Sequence, residues 1–315
     1  GSYSLARITR ALALGAEHLR PGHVRVVPVE GTDRTRIDGV PADELSEIEA
    51  LVNRSADLPR PIVSITHHYP PIAPVEASDV GFVLFPWEES LVPPKLLHQI
   101  ESVADAVLAP TAFVKKVLID SGIRKPIFDV LQAPDLTGFR GLNAGRDWPR
   151  DAAHFVILHV SSCFQRKGVD LLLAAYASAF DYDDPVELII KGFPNPHNDV
   201  DEQIARLRAK HPRLAPITFM NADTEDADLL KLYRKADVMV LPTRGEGFNM
   251  PAAEAFAAEL PTILTAGSGH LDFADGDNAW LINYRFGHSA SHVRSAGSVW
   301  MEPDVDHLAY TMRFL

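Results

Sequence analysis

Cysteine is nearly absent: Cys163 is the only one in 315 residues. That excludes an intrachain disulfide and a cysteine-based zinc cluster, and it fits a reducing compartment. Basic charge is also scarce. Thirty Lys and Arg stand against 42 Asp and Glu, giving a formal net charge of −12. A nucleic-acid partner would want a basic face, so none is expected. An anionic small ligand stays open, because a few placed cations and helix N-termini bind phosphate even in an acidic protein. Long apolar runs are missing too. None approaches the ~20 residues of a spanning helix, and no signal peptide is read. What remains is ordinary globular composition, 46% hydrophobic and 23% charged. The length suffices for two domains, each with its own core.

The first half alternates helix and strand signals. SLARITRALALGAEHL is an amphipathic helix with Leu5, Ile8, Leu12 and Leu19 near one face. A glycine turn entering a helix ordinarily follows a strand, so Gly1-Ser2-Tyr3-Ser4 reads as a trimmed end that has lost its first strand. The helical pattern DHLAYTMRFL runs to the last residue and is read as cut likewise. Strands are predicted at His23–Val29, Pro61–Thr66, Val80–Trp87, Ala106–Pro110 and, more weakly, Ile127–Leu131, with a helix over Thr111–Ser121. Ala133–Ala153 turns polar, with Pro134, Pro149 and three glycines, and reads as an interdomain linker.

The second half repeats the pattern. Strands are predicted at Phe155–Ser161, Glu187–Lys191, Ile217–Met220, Ala236–Leu241, Pro261–Thr265 and Ala279–Asn283. Helices fall at Val169–Phe180, Val200–His211, Asp226–Arg234 and Met250–Ala258. Apolar strands alternating with helices imply parallel sheets covered on both faces. The expected fold class is α/β, two Rossmann-like parallel-sheet domains facing across a cleft. The boundaries are an N-terminal acceptor-side domain over 1–135, a linker over 136–152 and a C-terminal domain over 153–298. A C-terminal helical region starts at 299.

Two stretches carry chemistry. In LPTRGEGFNMPAAE, an apolar strand runs into a glycine-bearing loop with Glu246, Gly247 and Phe248 and enters a helix through Asn249, Met250 and Pro251. In open parallel sheets, ligands bind beyond the C-terminal strand ends. Amides opening a helix favour anionic oxygens, and Glu254, eight positions after Glu246, can accept hydrogen bonds from a vicinal diol such as a ribose. Helix-end decoration is an equally good reading of this stretch alone. The second stretch is SSCFQRKGV, in which Arg166, Lys167 and a glycine precede an apolar helix and form a plausible diphosphate clamp. A solvated basic pair is the plainer reading in isolation. Position favours the clamp, since both loops are expected to leave neighbouring strands on one sheet edge.

RGEGFNMPAAEAFAAELPTILT, QRKGVDLLLAAY, LYRKADVMVLPT, GSGHLDFADGDNAWLI and WMEPDVDHLAYTMRFL together resemble retaining glycosyltransferases of family 4. The similarity covers about the last 160 residues well. It reaches the first half only loosely, through GSYSLA and HHYPP. It implies a GT-B fold and a nucleotide-diphosphate sugar held by the C-terminal half, with metal-independent transfer and retention of configuration. Carried over by position, Glu246 would contact the donor sugar and Glu254 the ribose, while Lys167 and Arg166 would neutralise the diphosphate. An arginine that family members often carry five or six residues before the lysine is replaced by Ser162 and Ser161. Arg166 or Lys191 is the expected substitute.

In the first half His67 and His68 end a strand, so at least one is expected to point into the cleft, where the resemblance implies contact with the transferred sugar or leaving phosphate. For either one alone, a core or surface histidine is the better reading. Trp87 and Glu88, at the next strand's end, are acceptor-side candidates through stacking on a sugar. The acid pairs Asp181/Asp183, Asp275/Asp277 and Asp304/Asp306 are expected to be loop residues, with no metal and no cofactor. Arg7, Arg10 and Arg20 along the first helix would suit peripheral contact with a membrane surface. The family further suggests a cytoplasmic protein using a nucleotide-sugar donor and a glycan or lipid-linked acceptor. An epimerase, a phosphorylase and a degenerate sugar-nucleotide-binding scaffold compete with the transferase.

Overall fold

The structure is a computed structural model describing residues 4–29, 40–54, 60–74, 77–132, 134–147, 154–291, 293 and 296–315. Among the described residues no helix is long and apolar enough to cross a membrane. The chain divides into two compact units. Unit 1 holds residues 1–87 and 92–135, and unit 2 holds residues 88–91 and 136–315. Gly1–Tyr3, Ala133 and the stretch 148–153 of the expected linker lie outside the described residues.

Unit 1 runs α1 (Ser4–Leu19), α2 (Ala42–Asn53), β1 (Val63–Thr66), β2 (Val80–Leu84), α3 (Pro94–Val103), β3 (Ala106–Ala109), α4 (Ala112–Asp120) and β4 (Ile127–Asp129). The four strands form a parallel sheet in the order β1-β2-β3-β4. The core sits under its centre, where Val83, Phe85, Ile100, Val107, Val114 and Leu118 are buried. Local signals set the ends of the helices. Thr111 caps α4 by accepting a hydrogen bond from Val114 N at 3.2 Å, and Pro94 occupies the first turn of α3, where no N–H is needed. Two expectations differ from what is found. His23–Val29 is irregular rather than a strand, although Val26 N donates to Leu51 O in the last turn of α2. Of the apolar face expected for α1, Ile8 is buried while Leu12 and Leu19 are exposed.

Unit 2 contains β5 (Phe155–Val160), α5 (Val169–Ala179), β6 (Val186–Gly192), α6 (Val200–Lys210), β7 (Ile217–Asn221) and α7 (Asp226–Lys235). There follow β8 (Val238–Leu241), α8 (Met250–Ala257), β9 (Thr262–Thr265), β10 (Trp280–Ile282), β11 (Tyr284–His288), β12 (Val299–Pro303) and α9 (Val305–Phe314). Six parallel strands are ordered β10-β9-β8-β5-β6-β7. The near-continuous apolar runs are explained by burial on both faces: all four residues of β8 and of β9 are buried. Two core clusters result, one around Tyr176, Leu172 and Ile190, the other around Tyr233, Leu158 and Met239. Strand order reverses between β5 and β8, which makes their C-terminal ends the topological switch point.

The C-terminal stretch departs from expectation. Val299–Pro303 is an antiparallel strand paired with β11, and helix begins only at Val305. A boundary at 298 would cut that hairpin. Residues 136–147 of the expected linker pack on unit 2. Phe139 meets Tyr233 edge-on at 4.9 Å, and Asn143 donates to Ala258 O at 2.9 Å.

Candidate active site

Two loops leave the switch point side by side, one after β5 and one after β8. Beneath them lies His159, fully buried. Its Nδ1–H donates to Val240 O at 2.8 Å, which leaves Nε2 to accept from the Ser161 hydroxyl at 2.8 Å. Burial pushes the His159 pKa down to about 4, so the ring is neutral near pH 7. Ser161 Oγ also accepts from Cys163 N at 3.0 Å. Ser161 is therefore held by hydrogen bonds within its own strand and loop.

The chain then makes a short 3-10 turn, Gln165–Lys167, ended by Gly168 at φ +70°. A Cβ at Gly168 would run into the Pro242 carbonyl oxygen, so only glycine lets the two loops approach here. Arg244 fastens the approach. It donates to Gln165 O at 2.6 Å, to both Asp170 oxygens at 2.8 and 2.7 Å and to Glu302 at 2.8 Å, and lies 5.4 Å above the Trp300 ring. Its own N–H donates to Arg166 O at 2.7 Å.

Glu246 stands in the second loop. Ser268, from the turn after β9, clamps its backbone: Ser268 Oγ accepts from Glu246 N at 2.5 Å and donates to Glu246 O at 2.7 Å. Gly269 N adds a bond to the same carbonyl at 2.9 Å. The side chain is 5% exposed and meets Lys167 Nζ at 2.6 Å and Arg166 at 3.2 Å. A second carboxylate, Glu88, reaches Arg166 at 2.9 Å. Burial alone would raise the Glu246 pKa, but the Lys167 and Arg166 charges hold it below the ordinary value. Burial, then the neighbouring Arg166 charge, lowers that of Lys167, against the pull of Glu246. Burial likewise works against the Arg166 charge, and Glu88 and Glu246 overcome it.

Beyond Glu246 the loop turns inward. Phe248 is buried against Phe273 at 5.2 Å, and Met250 is buried at the start of α8. Asn249, at φ +78°, caps α8 by accepting from Ala252 N at 3.4 Å, and its amide faces His270 Nδ1 at 3.4 Å. His270 is buried, and its Nε2–H donates to Thr265 O at 2.7 Å. Gly247 is packed close, since a Cβ at Gly269 would strike its carbonyl. Glu254 is buried on α8 and accepts from the Tyr233 hydroxyl at 2.7 Å.

The structure thus brings Arg166, Lys167 and Glu246 together, and the loop Gly247–Met250 and Glu254 continue from them into α8. Other expectations are corrected. Lys191 is no part of the clamp: its buried ammonium is held by the carbonyls of Gly192 and Ala222, at 2.5 and 2.8 Å, at the ends of β6 and β7. Arg166 is the arginine that joins the lysine. Trp87 offers no ring face to a sugar, being 2% exposed in unit 1 and stacked on Phe85 at 5.7 Å. Glu88 belongs to unit 2 and to the charge cluster rather than to an acceptor pocket.

His67 and His68 lie in unit 1. His67 Nδ1 is 2.9 Å from Thr9 Oγ1, and burial, then the neighbouring His68, lowers its pKa to about 4. His68 Nδ1 is 2.7 Å from Pro70 O. The acid pairs serve turns and caps. Asp181 and Asp275 accept from the amides two residues on, and Asp304 caps α9 through His307 N. Arg244, Ser268, His270 and Tyr233 were not singled out by the sequence, although the motifs RGEGF, GSGH and LYRKAD contain them.

Residues 154–293 match the family described as Glycosyl transferases group 1. An uncharacterized glycosyltransferase of Methanocaldococcus jannaschii is 29% identical over 117 residues, 37% of this chain and 28% of that protein. The capsular polysaccharide biosynthesis glycosyltransferase CapM of Staphylococcus aureus is 26% identical over 130 residues, 41% of this chain and 33% of its own length. The alignments thus span about a third or less of those two relatives. A trehalose-6-phosphate synthase structure superposes with a TM-score of 0.55 at 14% identity, covering 74% of this chain and 59% of that one. The matched residues 154–293 lie in unit 2. The chain has the GT-B fold, with two parallel-sheet α/β units, and its match to the glycosyl transferases group 1 family lies in the second.

Proposed function

We propose that the protein is a retaining, metal-independent glycosyltransferase of the family 4 type. It moves a hexose-type sugar from a nucleoside-diphosphate sugar to a glycan or lipid-linked acceptor, on the cytoplasmic side. The observation that carries this reading is the meeting of Arg166, Lys167 and Glu246 at the switch point of the unit 2 sheet. A buried Lys167 and a part-buried Arg166 beside adjacent strand ends suit a diphosphate. As the leaving group departs its negative charge grows, so cations fixed there act more on the transition state than on the ground state. In this reading Glu246, its backbone fixed by Ser268, holds sugar hydroxyls and Glu254 holds the ribose. No metal is required, because Lys167 and Arg166 supply the positive charge. His67 and His68 are assigned to the reaction by resemblance, and single alanine variants test them.

Thermal denaturation across a panel of nucleotide sugars tests the reading. One donor is expected to raise the melting temperature, because a ligand that binds only the folded state stabilises it. No shift with any donor, confirmed by calorimetry, would sink it. A sugar-nucleotide-binding scaffold is the second reading, favoured by the serines at 161 and 162. It predicts donor binding without donor hydrolysis.

A further inference from the structure

The charge cluster pairs two cations with two carboxylates. Arg166 and Lys167 are offset by two carboxylates, and these are held very differently. Glu246 is 5% exposed and touches both cations. Glu88 is 37% exposed and, of the two cations, meets Arg166. It is nonetheless fixed in place. Its carbonyl oxygen lies where a Cβ on Gly245 would be, so that the two backbones touch. Residues 88–91 are fastened along β12: Ser90 N donates to Val299 O at 3.2 Å, and Val299 N donates to Ser90 Oγ at 2.8 Å. The neighbouring Glu89 is turned away into its own site, accepting from Ser289 Oγ at 2.7 Å and from Ser291 Oγ.

We propose that Glu88 is a displaceable counter-ion of Arg166, occupying the guanidinium until a nucleoside diphosphate takes its place, and so setting the affinity for that group. The inference rests on the transferase reading above. A diphosphate reaching Arg166 and Lys167 must displace a carboxylate or accept its repulsion. Freeing Glu246 would strand a buried charge, which is costly. Freeing Glu88 returns a part-exposed carboxylate to water. Arg166 would keep its bonds to Glu246 and to Gly245 O, the latter at 3.3 Å, while exchanging one anionic partner for another. Glu88 is thus a positioning and affinity-setting residue, distinct from those that hold the donor.

The test is calorimetric titration of UDP, GDP and ADP, and of the matching monophosphates, into wild type, Glu88→Gln and the exposed-surface control Glu202→Gln. At low salt, Glu88→Gln is expected to bind its preferred diphosphate about three- to tenfold more tightly than wild type, with a smaller gain for the monophosphate. The gain should shrink as salt screens the part-exposed pair, and Glu202→Gln should match wild type. Equal or weaker diphosphate binding by Glu88→Gln, with wild type binding normally, overturns this inference alone. Failure of every diphosphate to bind either protein overturns the transferase reading and this inference with it. Equal gains for diphosphate and monophosphate would mean that Glu88 acts through general charge, and would also contradict it.

Discussion

Single side chains decide the chemistry, and a large energetic stake falls on one the sequence did not single out. Arg244 is 5% exposed and donates to two carboxylates and a backbone carbonyl. Arg244→Ala leaves Glu302 without its cation and releases the 3-10 turn. It should cost about 1–3 kcal/mol in denaturant unfolding, the range for losing hydrogen bonds to charged groups whose carboxylates stay part-exposed. A loss below about 1 kcal/mol would show that Arg244 does not hold the loops. His159 gives the pH dependence. Its folded pKa of about 4 lies below the ordinary 6.5. Neutral His159 therefore contributes stability that is complete above pH 6.5 and is lost as pH falls from there through about 4. Unfolding free energies between pH 7 and 4 should decline less in His159→Gln than in wild type, by on the order of 3 kcal/mol. Parallel declines would contradict the assignment.

Elements place these residues, and glycine at Gly168 is what lets the element after β5 meet the one after β8. Gly168→Ala meets both a left-handed φ and the Pro242 carbonyl. It should therefore destabilise by more than 1 kcal/mol and weaken donor binding at Lys167. Unchanged stability would mean that the loops separate without cost. The Glu246 and Lys167 loops were legible in sequence because each follows an apolar strand and opens a helix, a local pattern. The Ser268 clamp was less so, since a turn after β9 touches Glu246 only through tertiary packing. Lys191 misled for the same reason. Its position after an apolar strand resembles that of a ligand-binding cation, yet nearby carbonyls hold it. The hairpin β11–β12 was missed because WMEP carries too short a run to declare a strand apart from its partner.

For the whole molecule, the alternation of strand and helix was enough to give two parallel-sheet units, because strands buried on both faces are apolar throughout. His23–Val29 shows where that rule fails: its valines suit a strand, yet among the described residues the segment joins no sheet. Residues 88–91 show another limit. They follow a strand of unit 1 in sequence but pack within unit 2, and no local pattern distinguishes them. That assignment moves Glu88 from an acceptor pocket to the charge cluster. The central claim is that Glu246, between Arg166 and Lys167, belongs to a donor site that performs transfer chemistry. It is tested most directly by donor hydrolysis, with the nucleotide sugar that best stabilises the protein, in wild type and Glu246→Ala. Wild type should release nucleoside diphosphate and Glu246→Ala should do so roughly a hundredfold more slowly while remaining folded; equal rates in the two proteins would contradict the account.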